Sequence, residues 1–187
     1  MTEIIAYFRQ IGIDEKDLQQ FLKLLKIKTY KIGSSILNSG QTDSYLSFLN
    51  KGIIRYFVNS NGKELTFDFV FPNSFYCHYD SFYSRKPTQF NSEALTDIEI
   101  YYIHFDDLTS LFQTCEFAKD LSRIAVEKLL EKKVKRELSL LTNSPEERYL
   151  NLLKEQPRLI QHIPQKYLAT YLGIVPETLS RIRKRIS

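Results

Sequence analysis

The residues best suited to chemistry lie near the end of the 187-residue chain, between Gln165 and Arg185. Glu177, Ser180, Arg181 and Lys184 recur at the i, i+3, i+4, i+7 spacing of one helical face. An arginine can donate two hydrogen bonds to O6 and N7 of guanine, a glutamate can accept from cytosine N4, and a serine adapts to several base edges. Glu177 precedes Arg181 by four residues, so the two can also brace each other. Lys166, Thr178, Arg183, Lys184 and Arg185 have the donors that hold phosphate oxygens. Base reading is therefore expected of Glu177, Ser180 and Arg181, and phosphate binding of the other five, with double-stranded DNA as the partner.

Such residues must be carried by two helices that cross closely, and the segment supplies them. Ala169 is small enough for a close crossing, Gly173 suits the left-handed cap that ends a helix, and Pro176 suits the first turn of the next. Leu168, Leu172, Leu179 and Ile182 supply the apolar faces that lock the pair. Charge agrees with this reading. Residues 157–187 hold six Lys/Arg and one acid, while the rest of the chain holds 20 basic and 21 acidic residues. A basic module on a near-neutral body fits a phosphate-backbone partner. The rival is a ligand-sensing or protein-interaction module whose basic helical tail does not read DNA. Salt dependence separates the two, because DNA binding weakens steeply with added salt.

Ahead of this module the chain reads as three zones. Residues 1–26 are helical in pattern, with Asp14 as an N-cap before Leu18, Phe21, Leu22 and Leu25. Residues 27–105 are short alternating runs broken by turn signals, and the Asn61-Gly62 dipeptide predicts a hairpin. This zone holds 17 of the 25 aromatics, as in a small barrel or jelly roll with rings buried between two sheets. From Asp106 onward the pattern is helical. A segment without Gly or Pro runs from about Glu116 to Leu141, and Ser144-Pro145-Glu146-Glu147 forms a capping box that starts the next helix. The long helix is apolar on two sides, through Phe117, Leu121 and Ile124 and through Leu130, Val134 and Leu138. One side can pack on its own domain, while the other calls for a second copy of the chain, hence a homodimer.

Catalysis is not expected. No nucleophile–base pair, Walker loop or glycine-rich dinucleotide motif is present. Cys77-His78 lacks a third ligand and reads more simply as an aromatic-rich loop containing a buried Cys. The His and carboxylate cluster of a β-roll metalloenzyme is missing, and no metal site is expected. Two cysteines cannot make a disulfide framework, and no apolar run approaches the roughly 20 residues of a bilayer span. The N-terminus lacks the apolar core of a signal peptide. A cytoplasmic protein with no membrane partner is the expectation.

Over nearly its whole length the sequence resembles the Crp/Fnr family of bacterial regulators. The resemblance rests on Lys31–Gly40, on Ser47–Arg55, on Asn61–Glu64, on Ala94–Asp97, and most specifically on Glu177-Thr178-Leu179-Ser180-Arg181, similar to the family's E-x-x-S-R signature. It implies an α+β chain with an N-terminal double-stranded β-helix (jelly-roll) sensor over 1–115, a long dimerisation helix over 116–142, and an all-α helix-turn-helix domain over 143–187. It also implies a transcription regulator, with RNA polymerase as a further partner and an unknown small effector in the β-roll. That pocket falls to Phe75, Tyr76, Arg85, Gln89 and Asn91. Family members that bind cyclic nucleotide carry a Gly-Glu pair and, several residues later, an Arg followed by Ser or Thr. Residues 75–93 have neither, so cyclic nucleotide is disfavoured and no cofactor is expected.

Overall fold

The computed structural model describes the backbone of residues 1–186 and the side chains of all of these except 116–121. It divides into two compact units, Met1–Tyr56 with Phe69–Ala125, and Phe57–Asp68 with Val126–Ser187.

The first unit opens with two helices, α1 (Thr2–Gln10) and α2 (Glu15–Leu24), within the zone expected to be helical. Ile11 and Gly12 break the run, and Asp14 restarts it by accepting a hydrogen bond from the Asp17 amide at 2.7 Å. Eight strands follow: β1 (Lys26–Tyr30), β2 (Ser35–Leu37), β3 (Tyr45–Lys51), β4 (Ile54–Ser60), β5 (Lys63–Val70), β6 (Ser74–Tyr76), β7 (Asn91–Ala94) and β8 (Ile98–His104). A single turn, α3 (Tyr79–Phe82), interrupts them, and α4 (Phe105–Thr114) follows the last of them. The strands form two four-stranded sheets, β1-β8-β3-β6 and β2-β7-β4-β5. Neighbours within each sheet are rarely neighbours in sequence, because the chain alternates between sheets. This is a β-roll, the expected class for this zone.

The core explains the aromatic content. Alternation along β3 and β8 sends Phe48, Tyr101 and Ile103 to one sheet face. There they pack with Ile4, Phe8, Phe21, Leu108 and Leu111 from α1, α2 and α4. The rings of Phe8 and Phe21 meet edge to face at 4.7 Å, and Phe48 and Phe75 at 5.1 Å. Gly52 sits at φ +93, where a Cβ would lie 2.5 Å from the Asp97 carbonyl oxygen. Only glycine satisfies both the left-handed backbone and the close approach.

The second unit holds the tip of the β4–β5 hairpin, which turns at Asn61-Gly62, and the helical part of the chain. Its helices are the distal part of α5 (Glu116–Thr142), then α6 (Pro145–Glu155), α7 (Pro157–His162), α8 (Gln165–Tyr171) and α9 (Pro176–Ile186). Ser144 and Glu147 make the expected capping box, each side chain bonded to the other's amide at 3.3 and 2.7 Å. The hairpin is tied to the helices through Asp68, buried and bonded to Lys132 Nζ at 2.5 Å and Lys133 Nζ at 2.8 Å. The Thr66 amide also donates to Thr170 Oγ1 of α8 at 3.2 Å.

Two faces of distal α5 differ. Residues 132, 136, 139, 140 and 143 line a cleft shared with α6 and the end of α8. On the opposite face Val126, Leu130, Val134 and Leu141 are exposed by 45, 62, 46 and 76%, with Leu138 (54%) at its edge. Of the residues expected on a dimerising helix, Leu130, Val134 and Leu138 thus share an exposed apolar stripe, and Ile124 is half-buried. The side chains of Phe117 and Leu121 lie outside the described residues. Among the described residues no helix is long and apolar enough to cross a membrane.

Candidate nucleic-acid interface

Helices α8 and α9 are locked by the residues the sequence marked. Ala169 and Leu179 are fully buried, and Leu168, Leu172 and Ile182 nearly so. Between the helices Gly173 takes φ +70, and the amides of Gly173 and Ile174 donate to the carbonyls of Thr170 and Ala169, each at 3.0 Å. That is the left-handed cap such a turn needs. Pro176 then starts α9 where no amide is required.

This geometry fixes what α9 presents. With Leu179 and Ile182 inward, Glu177, Arg181 and Lys184 are exposed and Ser180 is half-buried. The structure therefore brings the three expected base readers onto one face with Lys184. The Glu177–Arg181 brace is not formed. Instead Arg181 Nη2 donates to Thr178 Oγ1 at 3.3 Å, a partner one turn back that also fixes the guanidinium. Among the expected phosphate binders, Lys166 is exposed with its ammonium 4.5 Å from the Tyr167 ring centroid. Arg183 is exposed on α9, and Thr178 is half-buried. Arg185 is ion-paired with Glu146 at the start of α6, a partner that phosphate would have to displace.

The five residues expected to line an effector pocket do not converge. Phe75 and Tyr76 are adjacent on β6 and so point to opposite faces. Phe75 enters the aromatic core, 5.5 Å from the Tyr7 ring and 5.6 Å from Phe8. Tyr76 is buried, which raises its hydroxyl pKa above the usual tyrosine range. Arg85, at φ +58, donates to the Asp43 carbonyl at 2.9 Å and Ser44 Oγ at 3.1 Å, and stacks 4.3 Å over the Phe105 ring. The Gln89 amide donates to Asp80 Oδ2 at 2.8 Å, and Asn91 Oδ1 accepts from the Ser39 amide at 3.0 Å.

Between them lies a polar network that sequence reading missed. His78 is buried, its ring nitrogens 3.1 Å from Thr88 Oγ1 and 2.7 Å from Ser92 Oγ, and its amide donates to Asp43 Oδ2 at 2.8 Å. Thr88 Oγ1 is also within hydrogen-bond reach of both Asp80 oxygens. Phe90 stacks on the imidazole at 4.3 Å and 8°, and Tyr56 meets it edge-on at 5.2 Å. Burial pushes the His78 pKa down to about 4, against the opposing charge of Asp80. Burial likewise raises the Asp43 carboxyl and the Cys77 thiol. Close by, buried Arg55 is ion-paired with Glu93 at 3.2 Å. No spacing rule links these positions; they meet only because β4, β7 and the loop around α3 converge. Among the described residues no group of three or more His, Cys, Asp or Glu is placed to hold a metal.

Residues 27–115 match the cyclic nucleotide-binding domain family. No curated protein sequence matches the chain. Among solved structures, FixK2 from Bradyrhizobium japonicum superposes with a TM-score of 0.77 at 17% identity, over 87% of this chain and 84% of its own. A regulator of the Crp/Fnr family from Eubacterium rectale gives 0.73 at 16%, over 96% and 87%. The c-di-GMP-responsive global regulator CLP from Xanthomonas campestris gives 0.70 at 19%, over 92% and 91%.

The fold is that of the Crp/Fnr regulators. The resemblance carried by Glu177–Arg181 and by the turn motifs of the roll is matched at the level of the fold. Within that Crp/Fnr fold, the family match covers the roll and stops before α5, and the structural likenesses extend over the helices beyond it.

Proposed function

We propose that the protein is a homodimeric, sequence-specific DNA-binding regulator in which α8–α9 acts as a helix-turn-helix. The observation that carries this reading is the α9 face, where Glu177, Ser180 and Arg181 sit together on a helix held rigidly by Leu179 and Ile182. Each subunit presents this face to a major groove, and the exposed stripe Val126–Leu130–Val134–Leu141 packs against its copy in a second chain. A palindromic site with half-sites about 34 Å apart follows. Catalysis forms no part of this role.

Cyclic nucleotide is not the effector in this reading. A cyclic phosphate needs a cation or aligned amides facing it. In residues 75–93 the Arg85 guanidinium is held by carbonyls, and both His78 ring nitrogens face hydroxyls of the chain itself. The Phe90 ring already covers the imidazole.

The test is selection of a binding site from random DNA, followed by affinity against salt. Three phosphate-binding cations per subunit (Lys166, Arg183 and Lys184) give a log–log slope of about −5 for a dimer, and about −7 if Arg185 leaves Glu146. No selected sequence, or a slope near zero, would favour the rival in which the basic tail docks protein.

A further inference from the structure

The second unit contains a cleft of about 310 Å³ between distal α5, α6 and the end of α8. That volume lies at the lower end of the range for small-molecule sites. Its apolar lining includes Leu138, Leu140, Leu152 and Leu172, of which Leu152 and Leu172 are buried. Four cations also line it, Lys132, Lys135, Arg136 and Arg148, against one acid, Glu155.

The cations divide into two kinds. Lys135 is paired with Glu155 at 2.7 Å, and Lys132 with Asp68 at 2.5 Å. The two arginines have no carboxylate partner among the described residues. The Arg136 guanidinium sits over the Tyr171 ring, 4.1 Å from its centroid. Arg148 spends Nε on the Leu172 carbonyl at 2.9 Å and Nη1 on the Asn143 carbonyl at 2.6 Å, which leaves Nη2 open among the described residues. Both guanidiniums are therefore held in place before any ligand arrives, next to an apolar wall. Pre-organised guanidiniums recognise carboxylate and phosphate oxygens, and little entropy remains to be lost on binding.

We propose that this cleft is an effector site for a small organic anion, a carboxylate or phosphate ester on an apolar body. The polar side chains around His78 in the roll bond to one another, whereas the two arginines of this cleft are not matched by acids among the described residues. The cleft also lies on the face of α5 opposite the exposed apolar stripe, with only Leu138 shared, so a second copy on that stripe leaves it open. Arg148 holds the C-cap carbonyl of α8. An anion bridging Arg136 and Arg148 would fasten α8–α9 to α5 and bias the orientation of α9. This last step rests on the DNA-binding reading, while the binding itself does not.

The test is calorimetric titration of the full chain, without DNA, using octanoate, octanol and inorganic phosphate. Octanoate is expected to bind once per chain, with octanol and phosphate each at least about tenfold weaker, because each lacks one half of the recognition. Arg136→Gln and Arg148→Lys should each weaken octanoate about tenfold, and Lys135→Gln by less than about twofold. If Arg148→Lys fails to fold, Arg136→Gln carries the comparison. Absence of octanoate binding, equal binding of octanol, or unchanged affinity in Arg136→Gln would overturn the proposal. Failure of α9 to read DNA would leave all these titrations unchanged.

Discussion

Acidification should destabilise the roll through one imidazole. His78 is 2% exposed, and its pKa stands at about 4 in the fold against 6.5 ordinarily. Between those values the unfolded chain takes up a proton that the folded chain refuses, so stability falls as pH falls through the window. A difference of about 2.5 pKa units corresponds to about 3 kcal/mol once pH is well below 4, and to about 2 kcal/mol on going from pH 7 to pH 5. The neighbouring carboxyl of Asp43, raised by burial, works in the opposite sense as it protonates, so the comparison must isolate the histidine. His78→Gln does this, because the amide keeps a partner for Thr88 and Ser92 but cannot titrate. Urea denaturation at pH 7 and pH 5 should show the variant less stable at pH 7, with its pH-dependent loss smaller than that of the natural chain by about 2 kcal/mol. At an m-value of about 2 kcal/mol per molar, that is a difference of about 1 M in midpoint shift. Equal losses in both proteins would refute the buried, neutral histidine.

Other perturbations probe other parts. Gly173→Ala forces a Cβ into φ +70 and to 3.3 Å from Leu140 Cδ2, and should cost about 1–2 kcal/mol in thermal or urea unfolding. Leu130→Glu with Val134→Glu, at positions 62 and 46% exposed, should leave the monomer's fold intact by circular dichroism. The same pair should shift sedimentation from dimer to monomer at micromolar concentration. Asp68→Ala leaves Lys132 and the half-buried Lys133 without their shared carboxylate and should cost about 2 kcal/mol, with part recovered in Asp68→Ala/Lys133→Ala.

Much of the local structure was legible because it depends on neighbours in sequence. Asp14, Ser144 with Glu147, Asn61-Gly62, and Gly173 with Pro176 each do in the fold what their chemistry requires within a few residues. The α9 face was legible for the same reason, since helical spacing alone puts Glu177, Ser180 and Arg181 together. The brace of Arg181 was misjudged because two acceptors, Glu177 and Thr178, lie within one turn, and spacing does not choose between them. Long-range chemistry was not legible. Asp68 meets Lys132 across 64 positions, and His78, in the loop before α3, meets Ser92 of β7. Phe75 and Tyr76 cannot share one pocket because neighbours in sequence on a strand point to opposite faces in space.

The central claim is that the α9 face reads bases, and Arg181→Ala on a selected DNA site tests it most directly. Affinity at fixed salt should fall by about 1–3 kcal/mol with preference lost at one base position, whereas Lys166→Ala should weaken all sequences alike and flatten the salt slope. An Arg181→Ala variant that keeps both the affinity and the base preference of the natural chain would contradict the account.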